Sequence, residues 1–295
     1  MPEPHSRKAL YTYLILLLAF SSIFYTLIIR SGHLEAGHGW FVFGLMYCPA
    51  ASALITCVVN KRRLSTLGWR LGKPRYLLAS YFIPLGYASV VYGAAWALRL
   101  GGFNPAFQQD AVKMFHARFS PDAAMAASIA LMATVGVLFS CVSALGEEIG
   151  WRGFLVPELA SMTSFTRTAL ISGAIWASWH MPILLFADYN AGTTPKWYAM
   201  ICFATMVMGA SFLFAWMRLK SGSLWTGVLL HASHNLFIQA IFDRAMRDTG
   251  KTLYFTTEFG AGLALALAGV AFYCWKRRGE VELRIVKSDA LAAAT

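Results

Sequence analysis

Runs of about twenty consecutive apolar residues recur along the chain, and they restrict its fold more than any other feature. A helix needs about 20 apolar residues to cross the hydrocarbon core of a bilayer. The 295 residues are 58% hydrophobic and only 13% charged, with a mean hydropathy of +0.54. Such a composition is too apolar for a water-soluble surface, so the sequence predicts an all-α, polytopic integral membrane bundle.

Eight runs are long enough to be predicted as transmembrane helices, at residues 9–29, 40–59, 77–98, 123–145, 168–187, 197–217, 224–242 and 253–275. The fourth begins with Ser120, Pro121 and Asp122, which suit a helix N-cap, its first position and the positive end of its dipole. The first is longer than the apolar part of a signal peptide, about 7–15 residues. We therefore interpret it as a retained span.

Basic residues predict the orientation, because Lys and Arg are enriched in cytoplasmic connections. They precede the first span and follow the second, fourth, sixth and eighth, at residues 5–8, 60–75, 152 and 167, 218–220 and 276–278. The loop at 243–251 is a mild exception, since Asp243 and Asp248 partly balance its basic residues. This alternation predicts that both termini are cytoplasmic.

The connection between the third and fourth spans has apolar residues at helical spacing, namely Phe107, Ala111, Met114, Phe115 and Phe119. This pattern is typical of a helix that lies in the membrane interface.

The formal charge of +11 does not indicate a nucleic-acid partner, because the basic residues lie in short clusters beside apolar runs. The expected partner is the lipid bilayer. All five cysteines fall inside apolar segments without CxxC spacing, so neither a disulfide framework nor a thiolate zinc site is predicted.

Three groups of polar residues interrupt the apolar runs, and the first is Glu147, Glu148 and Arg152. On a helix Glu148 and Arg152 are four residues apart and can pair, whereas Glu147 points about a quarter-turn away. One interpretation is a helix end at the interface, where charged side chains reach the headgroups. The other is a helix that continues past the glutamates and buries them, because apolar residues resume directly after Arg152.

The second group contains Trp176, His180 and Pro182. His180 lies twelve residues into the fifth span, or roughly 18 Å at the α-helical rise, which is beyond the middle of the hydrocarbon core. It is either a structural hydrogen-bonding residue or part of a site.

The third group is His231, His234 and Asn235, which share one face of the seventh span. They could join helices through hydrogen bonds. Together with a carboxylate and His180, however, they also supply a base for water and donors for an oxyanion.

At these residues the sequence resembles the CPBP family of intramembrane proteases, named for CAAX proteases and bacteriocin-processing enzymes and also called Abi proteins. The family pattern is EExxxR, then an aromatic-xxx-His, then HxxxN, each in its own membrane helix. Here the three elements are Glu147, Glu148 and Arg152; Trp176 and His180; and His231 and Asn235. The resemblance covers residues 123–242. Two departures are Trp176, where Phe is more usual, and the extra His234, which is left outside the catalytic set as a neighbour of His231.

The resemblance implies endopeptidase activity. In this hypothesis Glu147 takes a proton from the attacking water, and Glu148 with Arg152 keeps Glu147 in position. His180 shares or orients the water, while His231 and Asn235 stabilise the oxyanion.

The resemblance also raises the question of a metal. The family is commonly labelled a metalloprotease family, and Glu147, His180 and His231 would make a zinc set with an open fourth position. Against this, the chain has no HExxH, and a water held directly by Glu147 and His180 would explain the same residues. Both alternatives, zinc and no cofactor, stay open.

The predicted organisation has three parts: residues 1–122 with three spans and the interfacial loop, 123–242 as the catalytic core, and 243–295 with the last span and a cytoplasmic tail. The expected substrate is a peptide or membrane-associated protein, cut near its C-terminus or in a leader. Short connections and the lack of an organelle signal favour a bacterial inner membrane. The alternatives are a non-catalytic scaffold or bacteriocin-immunity protein of the same family and, without supporting repeats, a proton-coupled transporter.

Overall fold

Helices make up nearly all the regular structure of residues 4–189 and 192–281, which a computed structural model describes. In chain order the α-helices are α1 (Pro4–Ser31), α2 (Trp40–Val59), α3 (Pro74–Ala97), α4 (Pro105–Met114), α5 (Pro121–Leu131), α6 (Val137–Glu148), α7 (Val156–Met162), α8 (Phe165–Phe186), α9 (Lys196–Ser221), α10 (Trp225–Asn235), α11 (Asp243–Ala245) and α12 (Ala261–Lys276). π-Helical turns occupy Met132–Gly136, Ile149–Leu155 and Leu236–Phe242, and 3-10 turns occupy Ala36–Gly39, Leu64–Leu67 and Thr252–Tyr254. Strands β1 (Gly101–Phe103) and β2 (Met246–Asp248) form an antiparallel pair.

The predicted helical membrane bundle is confirmed. Within the described residues, 6 helices are long and apolar enough to cross a bilayer, at residues 7–31, 36–59, 74–97, 121–162, 165–186 and 196–221. They coincide with the first six predicted spans. This is an integral, multi-pass membrane protein. The full count of eight spans and the cytoplasmic placement of both termini stay predictions, and the predicted tail beyond residue 281 lies outside the described residues.

The last two predicted spans are not among these six long, apolar helices. The seventh consists of α10 and the π-helical turn that follows it. The prediction that the eighth begins at residue 253 is wrong, because α12 begins only at Ala261 and is 16 residues long. Before it, the chain makes a tight turn at Gly260, where an added Cβ would lie 2.1 Å from the Thr256 carbonyl oxygen. The segment 253–260 is therefore a connection that contains Glu258.

The fourth predicted span is longer than expected. Helical structure runs from Pro121 to Met162 without a break, and we call these residues the motif helix. Its predicted start is confirmed, since the Ser120 hydroxyl accepts a hydrogen bond from the Ala123 amide at 3.4 Å. The helix does not end at residue 145, and the alternative in which it continues past the glutamates and buries them is confirmed. Residues 146–156 are all buried, so the chain there is surrounded by protein and needs no exit into water.

The helices pack so that residues 146–156 of the motif helix lie inside the bundle. Helix α2 packs between α1 and the motif helix, α10 packs between α3 and α6, and α9 packs between α8 and α12. All five cysteines are free thiols, and four of them are buried. The polar residues of α6, α8 and α10 consequently face one another across the interior.

The two ends of the bundle carry different groups of residues. At one end, which we call the basic rim, Arg62 and Glu158 form an ion pair in which Arg62 Nη2 lies 3.0 Å from Glu158 Oε1. There the Trp225 indole also donates to the Trp69 carbonyl. The other end, called the opposite rim, carries β1, β2 and α4.

The predicted interfacial helix is present in part. Helix α4 buries Phe107 and Ala111 and lies against α5, but it ends at Met114. Phe115 and Phe119, which were predicted to continue it, lie beyond that end.

Candidate active site

Two glycines bring the acidic motif into the interior. An added Cβ at Gly146 would lie 2.5 Å from the Tyr47 ring, and one at Gly150 would lie 2.4 Å from Pro49 Cβ. Only glycine at these positions lets the backbone of α2 approach so closely. The intervening sequence is a GxxxG pattern, which favours tight helix packing in membranes. The two glutamates between the glycines are therefore held inside the protein rather than at its surface.

Glu147 presents one oxygen to the interior. Its Oε2 accepts hydrogen bonds from the indole nitrogens of Trp151 at 3.1 Å and Trp176 at 2.9 Å. Its Oε1 has no hydrogen bond to the described residues, and Glu147 lines an interior cavity. The usual family residue at position 176, a phenylalanine, would lack the second indole donor. Trp176 thus contributes a hydrogen bond as well as an aromatic ring.

Glu148 has a different environment, although it is the next residue. Its Oε1 accepts from Arg152 Nη1 at 2.9 Å and lies 3.0 Å from His231 Nδ1. The predicted Glu148–Arg152 pair is therefore present. The Arg152 guanidinium also lies 4.0 Å from the Trp176 ring centroid and 4.1 Å from that of Phe214. A charge that is fully enclosed needs such partners, and both glutamates are at most 2% exposed.

The tautomer of His180 follows from its hydrogen bond. Its Nδ1 lies 2.9 Å from the Trp176 carbonyl oxygen, and a carbonyl oxygen only accepts, so Nδ1 carries the proton. The other nitrogen, Nε2, is then free to accept a hydrogen bond in the neutral ring. Trp179 and Phe203 meet the ring edge-on, at centroid distances of 4.8 Å and 5.1 Å. These contacts fix the orientation of the imidazole.

The third motif divides between two environments. His231 and Asn235 line the same cavity as Glu147 and His180. His234 also lines it, but both of its nitrogens are engaged: Nδ1 lies 2.5 Å from the Tyr87 hydroxyl and Nε2 lies 2.9 Å from Glu258 Oε1. The described hydrogen-bond partners of His234 do not include His231.

The cavity has a volume of about 170 Å³. It brings together four of the predicted site residues, namely Glu147, His180, His231 and Asn235. Glu148 and Arg152 do not line it and lie behind His231. Apolar side chains from α2 and α9 form much of the remaining wall, including Leu45, Met46, Met206, Val207 and Phe214.

Sequence reasoning missed four polar residues of this region, namely Tyr87, Tyr189, Gln239 and Glu258. Glu258 was assigned to the predicted eighth span. An ionisable residue in such an apolar run is a candidate functional residue, and the criterion that selected Glu147 would also have selected Glu258.

Glu147, His180 and His231 are the residues that would bind zinc if the protein were a metalloprotease. Among residues 4–189 and 192–281, no three His, Cys, Asp or Glu side chains are grouped as a metal-binding set. The proposed ligands Glu147, His180 and His231 therefore do not form a three-donor site in this structure. A zinc requirement stays a prediction to be measured, and no catalytic step below depends on it.

Comparison with known proteins gives a family for the segment that carries these motifs. Residues 127–237 match the family model described as type II CAAX prenyl endopeptidase Rce1-like, and they include every residue of the three motifs. The match supports a relationship to the CPBP/CAAX protease family. A curated relative of this chain is CAAX prenyl protease 2 of Methanococcus maripaludis, which is 29% identical over 107 residues. The similarity spans 35% of this chain and 39% of the relative, and neither Tyr87 nor Glu258 lies in the segment matched by the family model.

Proposed function

We propose that this chain is an intramembrane endopeptidase whose catalytic core is residues 123–242. One observation carries the proposal: the open oxygen of Glu147 and the side chains of His180, His231 and Asn235 line one interior cavity. The first is a proton acceptor, the second can orient water, and the last two can stabilise an oxyanion. Hydrolysis of an amide requires these three functions.

Water activation is assigned to Glu147 and His180. Glu147 Oε1 removes one proton from a water molecule, and the unprotonated Nε2 of His180 accepts a hydrogen bond from the other water proton. The water oxygen then attacks the carbonyl carbon of the scissile peptide. The indole hydrogen bonds at Oε2 hold the carboxylate in place without occupying the reacting oxygen.

Oxyanion stabilisation is assigned to His231 and Asn235. Because His231 donates through Nδ1 to Glu148, its Nε2 can donate to the oxyanion only when the ring carries both protons. The Glu148 carboxylate favours that cationic ring, and Arg152 holds the carboxylate. Glu147 finally returns its proton to the amide nitrogen, the C–N bond breaks, and an amine and a carboxylic acid are released.

The proposed substrate is a peptide or the terminal segment of a membrane-associated protein. The curated relative is named for CAAX prenyl proteins, whose cleavable tail is C-terminal. The basic rim suits the cytoplasmic face of a bilayer under the charge rule. We place the protein in a bacterial inner membrane, where a leader peptide or membrane-protein tail is the expected substrate class.

The first experiment compares protein termini, by mass spectrometry of whole cells, between strains that carry the parent chain or Glu147→Gln at equal abundance. New termini that depend on Glu147 support proteolysis and identify the substrate. Glu158→Gln is a matched control, because it makes the same chemical change on the same helix outside the cavity. Identical termini in all strains, with a phenotype that survives Glu147→Gln, would instead favour the non-catalytic scaffold or immunity protein.

Metal dependence is tested on the purified protein. The mechanism above uses only side chains of this chain, so the Glu147→Gln variant and the parent should contain equal and substoichiometric zinc by elemental analysis. Stoichiometric zinc that is lost in Glu147→Gln would support the metalloprotease alternative.

A further inference from the structure

The cavity contains a second carboxylate that the proposed reaction does not use. Glu258 lies in the connection before α12, lines the cavity and is only 6% exposed. Its Oε1 accepts a hydrogen bond from His234 at 2.9 Å, and its Oε2 lies 3.5 Å from the Tyr189 hydroxyl. Its recorded ion-pair partner is His234. Whether Glu258 carries an unbalanced charge therefore depends on the protonation of this histidine.

Hydrogen-bond accounting favours a neutral His234. The Nε2 atom must carry a proton, because the Glu258 carboxylate only accepts. If Nδ1 accepts from the Tyr87 hydroxyl, every proton in this chain of contacts has an acceptor. If Nδ1 were also protonated, the Tyr87 hydroxyl proton would have no recorded acceptor among the described residues, and a buried donor without a partner is unfavourable. With a neutral His234 ring, every donor in this chain of contacts thus has an acceptor.

The charge of Glu258 is consequently not balanced by its neighbours. None of the described residues that line the cavity is a lysine or arginine. Arg152 and a protonated His231 both face Glu148 and carry two positive charges. Because Glu147 and Glu258 are carboxylates as well, the net charge of the site stays negative.

The walls near Glu258 suit a cation with an apolar stem. Tyr189, Phe203 and Phe259 form an aromatic cluster, with centroid distances of 5.8 Å, 5.3 Å and 5.5 Å among the three rings. Tyr189 and Phe203 also line the cavity. Aromatic faces attract cations, and a long basic side chain buries its methylene groups against apolar surface. At about 170 Å³, the cavity is below the range of about 300–1,000 Å³ for sites that enclose whole ligands, so it accommodates a side chain rather than a whole peptide.

We propose that the Glu258 end of the cavity is a specificity site that binds a lysine or arginine side chain of the substrate beside the scissile bond. This proposal rests on the proposed endopeptidase function. Glu258 is the specificity-determining residue, His234 and Tyr87 hold it through hydrogen bonds, and Tyr189 forms the aromatic wall between it and His180.

Peptide cleavage provides the first test. Peptides based on the identified cleavage site carry lysine, the uncharged norleucine or glutamate at each flanking position in turn. The parent enzyme should prefer lysine over norleucine at one position by about ten- to a hundredfold in kcat/KM, the range expected for a buried charge pair, and should disfavour glutamate. In Glu258→Gln this preference should disappear while cleavage of the norleucine peptide is retained. Glu158→Gln should keep the preference.

Glu147-dependent cleavage without a lysine preference, or with a preference that Glu258→Gln does not change, would overturn the cation site and leave the proposed function intact. Loss of norleucine cleavage in Glu258→Gln would show that Glu258 is required for folding or reaction, and would also overturn the assignment as a specificity residue.

A binding measurement separates this proposal from the proposed function. The probe is n-butylammonium, which has the length and charge of a lysine side chain, and 1-butanol at equal ionic strength is the neutral control. A ligand that binds the folded protein raises its unfolding temperature. The parent should be stabilised by n-butylammonium more than by 1-butanol, and Glu258→Gln should lose the difference. Equal shifts in both proteins would overturn the cation site even if no peptide were cleaved.

Discussion

Substitution of Gly227 by alanine tests the position of Glu148, which holds His231 of the proposed oxyanion site, without replacing any polar residue. An added Cβ at Gly227 would lie 2.7 Å from Glu148 Oε2 and 3.3 Å from Arg152 Cβ. Ordinary contact between these atoms begins at about 3.4 Å. The carboxylate must therefore move by several tenths of an ångström or more, yet its other oxygen is held by Arg152 and His231.

The displacement should weaken both bonds to Glu148 and shift the His231 ring. A misplacement of about 1 Å in a reacting group costs on the order of 100-fold in rate, so we expect kcat to fall by about 10- to 100-fold. Overpacking of this kind costs about 1–3 kcal/mol of stability, which a membrane protein of this size should survive. KM should change little, because Gly227 does not line the cavity.

The assay is cleavage of the substrate identified from cellular termini, by purified protein in detergent, alongside thermal unfolding. Gly86→Ala is the matched control, because no heavy atom lies within 4 Å of the Cβ it would add, and it should leave both rate and stability near parental values. Parental kcat in a folded Gly227→Ala protein would refute the role assigned to Glu148 in holding His231.

Three further predictions test other parts of the site. Gly150→Ala should lower the unfolding temperature and the yield of folded protein, since its Cβ would lie 2.6 Å from the Pro49 backbone; an unchanged melting curve would contradict the close packing of α2. Trp176→Phe should lower kcat several-fold at unchanged KM, because it removes one of two hydrogen bonds to Glu147, worth about 1 kcal/mol, and retains the aromatic contact with Arg152; equal steady-state kinetics would show that the second indole suffices. Treatment with a zinc chelator, followed by removal of the chelator, should leave the cleavage rate unchanged, whereas loss of activity that added zinc restores would show metal dependence.

The motifs were predictable from sequence because their geometry is local. Residues four apart on a helix face each other, so the Glu148–Arg152 pair and the separate position of Glu147 followed from spacing alone. The same rule placed His231 and Asn235 on one face of the seventh span. The combined chemistry of the three groups suggested one site, and in the structure Glu147, His180, His231 and Asn235 line one cavity.

Contacts between distant segments were less predictable. Nothing in the spacing of His234 indicates Tyr87 or Glu258, which lie 147 and 24 residues away along the chain. The length of the motif helix was also less predictable, because charged residues interrupt its apolar run at Glu147. In the structure those charges have partners from α8 and α10, so the helix need not end there. A GxxxG pattern at Gly146 and Gly150 was visible in the sequence and would have indicated the close approach of another helix.

The motif helix has a mechanical consequence for the reaction. Its 42 residues extend over about 63 Å at the α-helical rise, roughly twice the thickness of the hydrocarbon core. Residues 121–145 are largely exposed at the surface of the bundle, whereas residues 146–156 are buried. Helices tilt to match the thickness of the surrounding bilayer, and this tilt acts on the same continuous helix that carries Glu147. We therefore expect acyl-chain length to influence the position of Glu147, the proposed catalytic base.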